Sequence, residues 1–392
     1  MISTESKPKS QHESTFLSEA QKHWLQKARA FADAIPLSDR IKSDVENNFR
    51  RDLFESACKE GLGALPFPKT YGGSGGDYLS FVLVNEEFAR KCVPIMSSLG
   101  VHVLCQEPVY KFGTEEQKQK YLVPSSSGKF LAAFGLTEPG AGSDTAAIAT
   151  TARLNGANYV LNGTKTFITS GGSADYYIVM AKLLDDGASS PNEKSITAFI
   201  VERGFAGFQI GQKFDMLGMR GYATCEIVFN DCQVPRENLL GEHGMGRKVA
   251  LGSLAKGRVT IAAQATGWAQ GAVEAAAAWL RQNRSDKPEY HAAVAQLGEL
   301  AIMTESARVL THQAAYSIDS GESDVTLAAM AKIQATDAAM KAATEAISIM
   351  GPDGMKRENL VERIFRDAKA GQIYEGTNQI QRMLIARKLI KD

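Results

Sequence analysis

Long apolar runs, an excess of one charge, paired cysteines and clustered histidines are all missing from this 392-residue sequence. No stretch of about 18 apolar residues occurs, so nothing reads as a membrane span. Lys plus Arg number 44 against 44 Asp plus Glu. That balance excludes a strongly basic nucleic-acid binder and an acidic disordered chain, while leaving room for a local basic patch facing an anionic ligand. Neutrality also removes long-range repulsion between copies, which permits self-association. Cys58, Cys92, Cys105, Cys225 and Cys232 form no Cys-x-x-Cys pair. An odd, widely spaced set reads as reduced thiols of a cytoplasmic protein. The six histidines show neither His-Glu-x-x-His nor His-x-His, so no metal site is expected. The first fifteen residues are polar and lack arginine. They fit neither a secretory signal nor a transit peptide.

The length argues for two or three domains at roughly 100–200 residues each, and the texture divides into α, β and α. Leu25, Ala28, Phe31 and Ala32 repeat at helical spacing, as do Leu53, Ala57 and Leu62. Further helices are expected from about Tyr78 to Arg90 and from Thr114 to Leu122. From about Phe130 the pattern changes. Asn155-Gly156 and Asn162-Gly163 read as hairpin turns, among β-rich runs at Tyr159–Leu161, Phe167–Thr169, Tyr177–Val179, Phe199–Val201 and Ile227–Phe229. Beyond Gly246, proline-free and alanine-rich stretches over Leu254–Arg281, Ala292–Ser320 and Val325–Met350 suit an up-and-down bundle. No 20–50-residue repeat interrupts this order.

Four segments invite a chemical reading. The glycine-rich loop Phe134–Asp144, with Gly140 and Gly142 near Thr137 and Ser143, lets a backbone approach a ligand with free N–H groups. A Gly-x-Gly on its own is as readily a turn-rich junction, and this one is neither a Rossmann fingerprint nor a Walker loop. Ile373–Asn378 precedes the last amphipathic helix. Asn378 and Gln381 have capping-box spacing there, the free N–H groups suit an anionic or carbonyl-bearing ligand, and Glu375 reads alone as a solvated loop carboxylate. Glu362–Lys369 reads as an exposed helix face laced by ion pairs. Arg258, at the start of an apolar helix, reads alone as a snorkelling cation.

Taken together and in order on an α–β–α chain, these segments resemble the acyl-CoA dehydrogenase family of flavoproteins from about residue 18 to the end. The carriers are Leu136–Asp144, Asn162–Thr169, Val234–Gly241, Gly257-Arg258, Arg366–Lys369 and Ile373–Asn378. The resemblance implies an α+β multidomain fold: an N-terminal α-helical domain over 1–130, a middle antiparallel β-barrel-like domain over 131–240 and a C-terminal four-helix bundle over 241–392. It implies FAD, with Phe134, Leu136, Thr137, Gly142, Ser143, Phe167, Thr169, Thr377 and Gln379 holding the cofactor. Phe167 stands where the family often carries Trp. The implied reaction is α,β-dehydrogenation of an acyl thioester, on CoA or an acyl carrier protein, to the trans-2-enoyl thioester. Glu375 would abstract the α-proton and flavin N5 would take the β-hydride. Arg258 would organise the region around the base, and Ser143, Tyr374, Gly376 and Arg258 would contact the substrate. An electron-transferring flavoprotein is the implied acceptor and a homotetramer or homodimer the implied assembly.

Three departures stand beside the resemblance. Ala255 replaces a common acidic contact to the pantetheine arm, which keeps a carrier-protein substrate open. Asn283–Lys287 replaces an Arg-x-x-Phe-Gly motif, and Ser348–Pro352 replaces Gln-x-x-Gly-Gly. Both motifs grip FAD across a subunit interface, so altered FAD affinity or assembly is expected; Arg284 is the residue left to meet the pyrophosphate. Gly100 reads either as a small residue deepening the pocket floor or as a helix break. A flavin oxidase or monooxygenase of the same fold, and a catalytically silent scaffold, are the competing readings; the intact Ile373–Thr377 segment argues against the first.

Overall fold

The computed structural model describes residues 17–184 and 195–391; the polar amino-terminal segment discussed above lies outside them. Helix α1 (Glu19–Asp33) opens with a capping box: Ser18 Oγ accepts from the Gln21 N–H at 3.2 Å, and Gln21 Oε1 accepts from the Ser18 N–H at 2.9 Å. Helices α2 (Leu37–Val45) and α3 (Arg51–Lys59) follow. Helix α4 (Tyr78–Arg90) has the expected limits and is buried from Tyr78 through Ala89, as befits a helix enclosed on all sides. Its interior carboxylates are paired, Glu86 with Arg308 at 2.6 Å and Glu87 with Arg29 at 3.0 Å.

Helix α5 (Met96–Phe112) has no clear period in the sequence. Ser97, Ser98, Gly100 and Pro108 are poor helix formers, yet the helix runs through all of them because tertiary burial on every side outweighs propensity. The expected helix over Thr114–Leu122 is α6 (Glu115–Gln117), capped by Thr114, passing through a π turn (Lys118–Leu122) into α7 (Val123–Ser126).

Strands β1 (Ala132–Gly135), β2 (Thr151–Asn155), β3 (Asn158–Ile168), β4 (Tyr176–Leu184), β5 (Ile196–Glu202), β6 (Phe208–Lys213), β7 (Cys225–Pro235) and β8 (Leu239–Leu240) form one sheet. Its order is β6-β7-β3-β2-β4-β5-β8, with β1 also on β4. The sheet is mixed rather than antiparallel, because β4 pairs in parallel with β1 and then with β2. With β5 on the other side of β4, β1 and β2 share one edge. Residues 136–150 therefore bulge outward between two strands on the same line, which is what presents the glycine-rich loop. Edges β6 and β8 remain unpaired with each other among the described residues, so hydrogen bonding does not close a barrel. Asn155-Gly156 turns β2 into β3 as expected. Asn162-Gly163 does not turn: it is a bulge within β3, where the register against β7 shifts and Gly163 takes φ 147°. The long β3–β7 ladder on both sides overrides the local turn signal.

Helices α8 (Gly246–Gln282), α9 (Pro288–Asp319), α10 (Val325–Met350), α11 (Leu360–Gly371) and α12 (Asn378–Lys391) complete the chain. Among the described residues five helices stand where four were expected, and α4 packs against α8 and α9 beside α10. A Cβ at Gly267 of α8 would meet the Glu86 carbonyl oxygen at 2.1 Å, so α4 and α8 touch backbone to backbone. Helix α11 is not the exposed face its charges imply. Arg363 and Asp367 are buried and paired at 3.2 Å, while Arg366 reaches Asp44 of α2 at 2.7 Å and ties the two helical regions together.

Candidate active site

The six residues between α11 and α12 hold Glu375. Glu375 takes φ 56° and Gly376 φ 91°, so two consecutive residues lie in the left-handed region that costs a non-glycine residue energy. Thr377 closes the turn, its Oγ1 accepting from the Ile380 N–H at 3.4 Å. The expected Asn378–Gln381 capping pair is absent, because both side chains have other work. Asn378 Oδ1 accepts from Lys332 Nζ at 2.8 Å, and its Nδ2 donates to Thr336 Oγ1 and Asp337 Oδ1, each at 2.9 Å. Gln381 Nε2 donates to the carbonyls of Glu375 and Gly376 at 3.4 and 3.3 Å.

This turn lays the Glu375 carboxyl over Gly257 of α8, where a Cβ would stand 2.6 Å from Oε2. Oε2 is buried with no hydrogen-bond partner. Burial pushes the carboxyl up to about 7, against the pull of the Arg258 and Lys332 cations. It is therefore not the solvated loop carboxylate that the local sequence alone describes. Arg258 is 7% exposed and its Nε lacks a partner, so it does not snorkel; burial lowers its pKa and the Glu375 carboxylate opposes that. Behind the Glu375 carboxyl, Tyr374 Oη donates to Gln264 Oε1 at 2.9 Å and Gln264 Nε2 donates to Asn85 Oδ1 at 3.1 Å. Gly100 faces this link. A Cβ there would meet Gln264 Nε2 at 2.9 Å and Thr260 Cγ2 at 3.3 Å, so the glycine lets α5 approach α8; it neither breaks the helix nor opens a cavity.

The other expected site residues gather around the 136–150 excursion. Glu138 and Ala141 exchange backbone hydrogen bonds at 3.0 Å. The Glu138 carboxylate turns inward to the N–H groups of Ala149 and Thr150 and to Lys165 Nζ at 2.6 Å. Lys165 is fully buried and also donates to the Leu136 carbonyl at 3.2 Å. With the loop anchored from below, its upper surface is free: Cβ atoms at Gly140 and Gly142 would meet nothing within 4 Å, and Ser143 is exposed. The Thr166 N–H donates to the Thr137 carbonyl at 2.9 Å, which brings Thr137 alongside Phe167 and Thr169. Phe167, at φ 55° and 56% exposed, stacks on Phe214 with centroids 4.7 Å apart. Phe134 is half-buried and Leu136 buried in the core beneath. The Ser170 N–H donates to the Tyr222 carbonyl at 2.8 Å and the Met219 N–H to Asp367 Oδ1 at 2.6 Å, so this region runs on toward α11.

Glu375, Arg258, Tyr374 and Gly376 are thus drawn together around the turn, and Thr137, Phe167 and Thr169 around the end of β3. Ser143 and Gln379 are exposed, and neither side chain makes a hydrogen bond among the described residues. Lys332, Gln264, Lys165 and Glu138 escaped the sequence reading as functional groups. Lys332 could have been found as a cation on the apolar stripe Ala328, Ala331, Ala335.

FAD fits the residues present: an anchored loop with open space above two glycines, an exposed aromatic in a left-handed conformation, and the partnerless buried amide oxygen of Gln381 near the start of α12. Arg284, at the end of α8, lines a separate cavity of about 480 Å³ with Arg281, Tyr290 and His291. Among the described residues no three His, Cys, Asp or Glu gather to hold a metal ion, and no helix is long and apolar enough to cross a membrane.

On an α–β–α chain, a buried carboxyl of raised pKa and an anchored glycine-rich loop open above its glycines match a flavin-dependent acyl thioester dehydrogenase type of site. The chain belongs to the acyl-CoA dehydrogenase family: its N-terminal domain model matches residues 18–129, its middle domain 133–232 and its C-terminal domain 244–390. The short-chain specific acyl-CoA dehydrogenase of Megasphaera elsdenii is 40% identical over 383 residues, covering 96% of this chain and 99% of that protein. The structure of butyryl-CoA dehydrogenase from the same organism superposes with a TM-score of 0.91 at 40% identity, over 95% of this chain and 99% of that one. A structure described as the electron transferring flavoprotein of Acidaminococcus fermentans gives 0.92 at 40% identity, over 96% and 99%.

Proposed function

We infer that this protein is an FAD-dependent dehydrogenase of a short-chain acyl-CoA, with Glu375 taking the α-proton. The observation that carries the reading is the Glu375 carboxyl, whose Oε2 is buried and partnerless and whose pKa lies at about 7. A general base works best when its pKa sits near the operating pH. Among the described residues the N–H groups of Glu375, Gly376 and Thr377 make no backbone hydrogen bond, which leaves donors for a thioester oxygen as negative charge develops on it. Arg258 keeps positive potential beside the ionised base. FAD, when bound, supplies the acceptor for the β-hydrogen and its two electrons.

We assign the cofactor to Phe134, Leu136, Thr137, Gly142, Ser143, Phe167, Thr169, Thr377 and Gln379, and the thioester to Ser143, Tyr374, Gly376 and Arg258. A short acyl chain is supported by the name of the M. elsdenii relative and by the polar Asn85–Gln264–Tyr374 link behind the base, which is poor lining for a long apolar tail. The same names favour CoA over a carrier protein. An electron-transferring flavoprotein is the acceptor we infer, supported by the A. fermentans likeness. We place domain boundaries near residues 130 and 240, and infer a homotetramer or homodimer in the cytoplasm, where five buried, unpaired cysteines would stay reduced. The retained base argues against an oxidase or a silent scaffold. Anaerobic butyryl-CoA should bleach the flavin of the wild type, while Glu375→Gln binds without bleaching; equal reduction by that variant would remove Glu375 from the role.

A further inference from the structure

Lys332 lies two turns into α10 among alanines and is 0% exposed. An ammonium in such surroundings is costly unless strongly engaged, yet the two groups it binds are neutral: the Gly376 carbonyl at 3.0 Å and Asn378 Oδ1 at 2.8 Å. The first lies in the turn beside the base and the second opens α12 directly after it, and the carboxylate that acts most strongly on Lys332 is Glu375. Resting on the dehydrogenase reading, we propose that Lys332 is a positioning residue for the base: it pins the turn that holds Glu375 in its left-handed backbone, and it presents a second cation to the carboxylate.

The geometry explains why a lysine serves. A left-handed glutamate is strained and persists only where its surroundings over-determine it. Lys332 holds the turn from α10, while Gln381 and Thr377 hold it from α12. The charged groups acting on Glu375 are Arg258 from α8 and Lys332 from α10, and its carboxylate in turn acts on the phenols of Tyr374 and Tyr78 and the Cys105 thiol of α5. Burial raises all three of the latter, leaving them neutral at ordinary pH. Lys332 in turn is acted on by Asp337 of its own helix, by Arg258 and by Arg382 of α12. Because Oε2 itself has no partner, the two cations favour the carboxylate without occupying the atom that takes the proton.

The test compares FAD-loaded wild type, Lys332→Gln and Lys332→Met, with Glu375→Gln as control. Infrared titration follows the carboxyl signal that Glu375→Gln removes. Lys332→Gln should move its midpoint up by about one pH unit, a tenfold change in ionisation. The acid limb of flavin reduction by butyryl-CoA should move with it, and kcat should fall more than KM changes. Amide exchange over residues 373–380 should quicken in Lys332→Met. An unmoved midpoint with unchanged exchange in folded, FAD-bound variants overturns the proposal. Failure of wild type to reduce its flavin with any acyl-CoA would instead sink the dehydrogenase reading, and the carboxyl titration and amide exchange would still decide the role of Lys332. Should both lysine variants fail to fold, Asn378→Ala loosens the same clamp and leaves the ammonium in place. It should speed exchange over the turn, and no change there also overturns the proposal.

Discussion

Gly257 lies directly beneath the base: a Cβ at that position would stand 2.6 Å from Glu375 Oε2, 3.0 Å from its Cδ and 3.1 Å from Leu104 Cδ1. Gly257→Ala should favour the helix itself by up to about 1 kcal/mol, so any loss of function comes from displacing the carboxyl. We expect the anaerobic rate of flavin reduction to fall by about tenfold to a hundredfold, with FAD content unchanged and thermal stability equal or higher. Wild-type rates in this variant would show that the carboxyl has another place to go.

The raised pKa of Glu375 is also a statement about stability. The folded protein binds the proton more tightly than the unfolded chain, so this group's contribution is full below about 4.5 and lost as pH rises through about 7. At 1.36 kcal/mol per unit the total is roughly 3 kcal/mol. Glu375→Gln, a neutral isostere, should match wild type in denaturant unfolding near pH 5 and exceed it above pH 8. A difference that stays flat across that range would contradict the burial of the charge.

Why the sequence singles out Glu375 as a candidate and not Lys332 follows from what each signal contains. The Ile373–Asn378 segment carries its meaning in consecutive residues, and the α4 limits follow from Asp77 as a cap and an apolar run behind it. Lys332 acquires its role only when α10 is laid against α12, across 44 residues of chain. Helix α5 was hidden because burial, not propensity, forms it. The parallel pairing of β4 with β1 and β2 depends on a fifteen-residue excursion that no local pattern announces. Asn162-Gly163 misled because a bulge and a hairpin ask for the same residues.

The Lys165–Glu138 pair anchors the glycine-rich loop from inside. Burial lowers the lysine to about 8, while Lys165 and nearby N–H groups hold Glu138 below the usual carboxylate range. Removing one partner strands a buried charge at a cost of roughly 3–5 kcal/mol. Lys165→Met should lower the denaturation midpoint accordingly. Adding Glu138→Leu should restore part of the loss, since the stranded carboxylate is then gone. A double variant less stable than Lys165→Met would show that Glu138 serves the loop chiefly through Ala149 and Thr150.

Phe167 gives the most direct test of where the cofactor lies. Its ring is more than half exposed and its backbone sits at φ 55°, a left-handed conformation held, like that of Glu375, against its intrinsic cost. The stack on Phe214 is partly open to solvent and contributes about 0.5–1.5 kcal/mol. Folding alone therefore gives little reason to keep an aromatic there. If its exposed surface meets FAD, Phe167→Ala should weaken FAD binding by about tenfold, as the loss of one aromatic contact implies, while moving the apoprotein's melting temperature by only a few degrees. Titrating the apoprotein with FAD and following flavin fluorescence measures the first effect, and calorimetry of the apoprotein the second. Unchanged FAD affinity in Phe167→Ala would place the cofactor away from the end of β3.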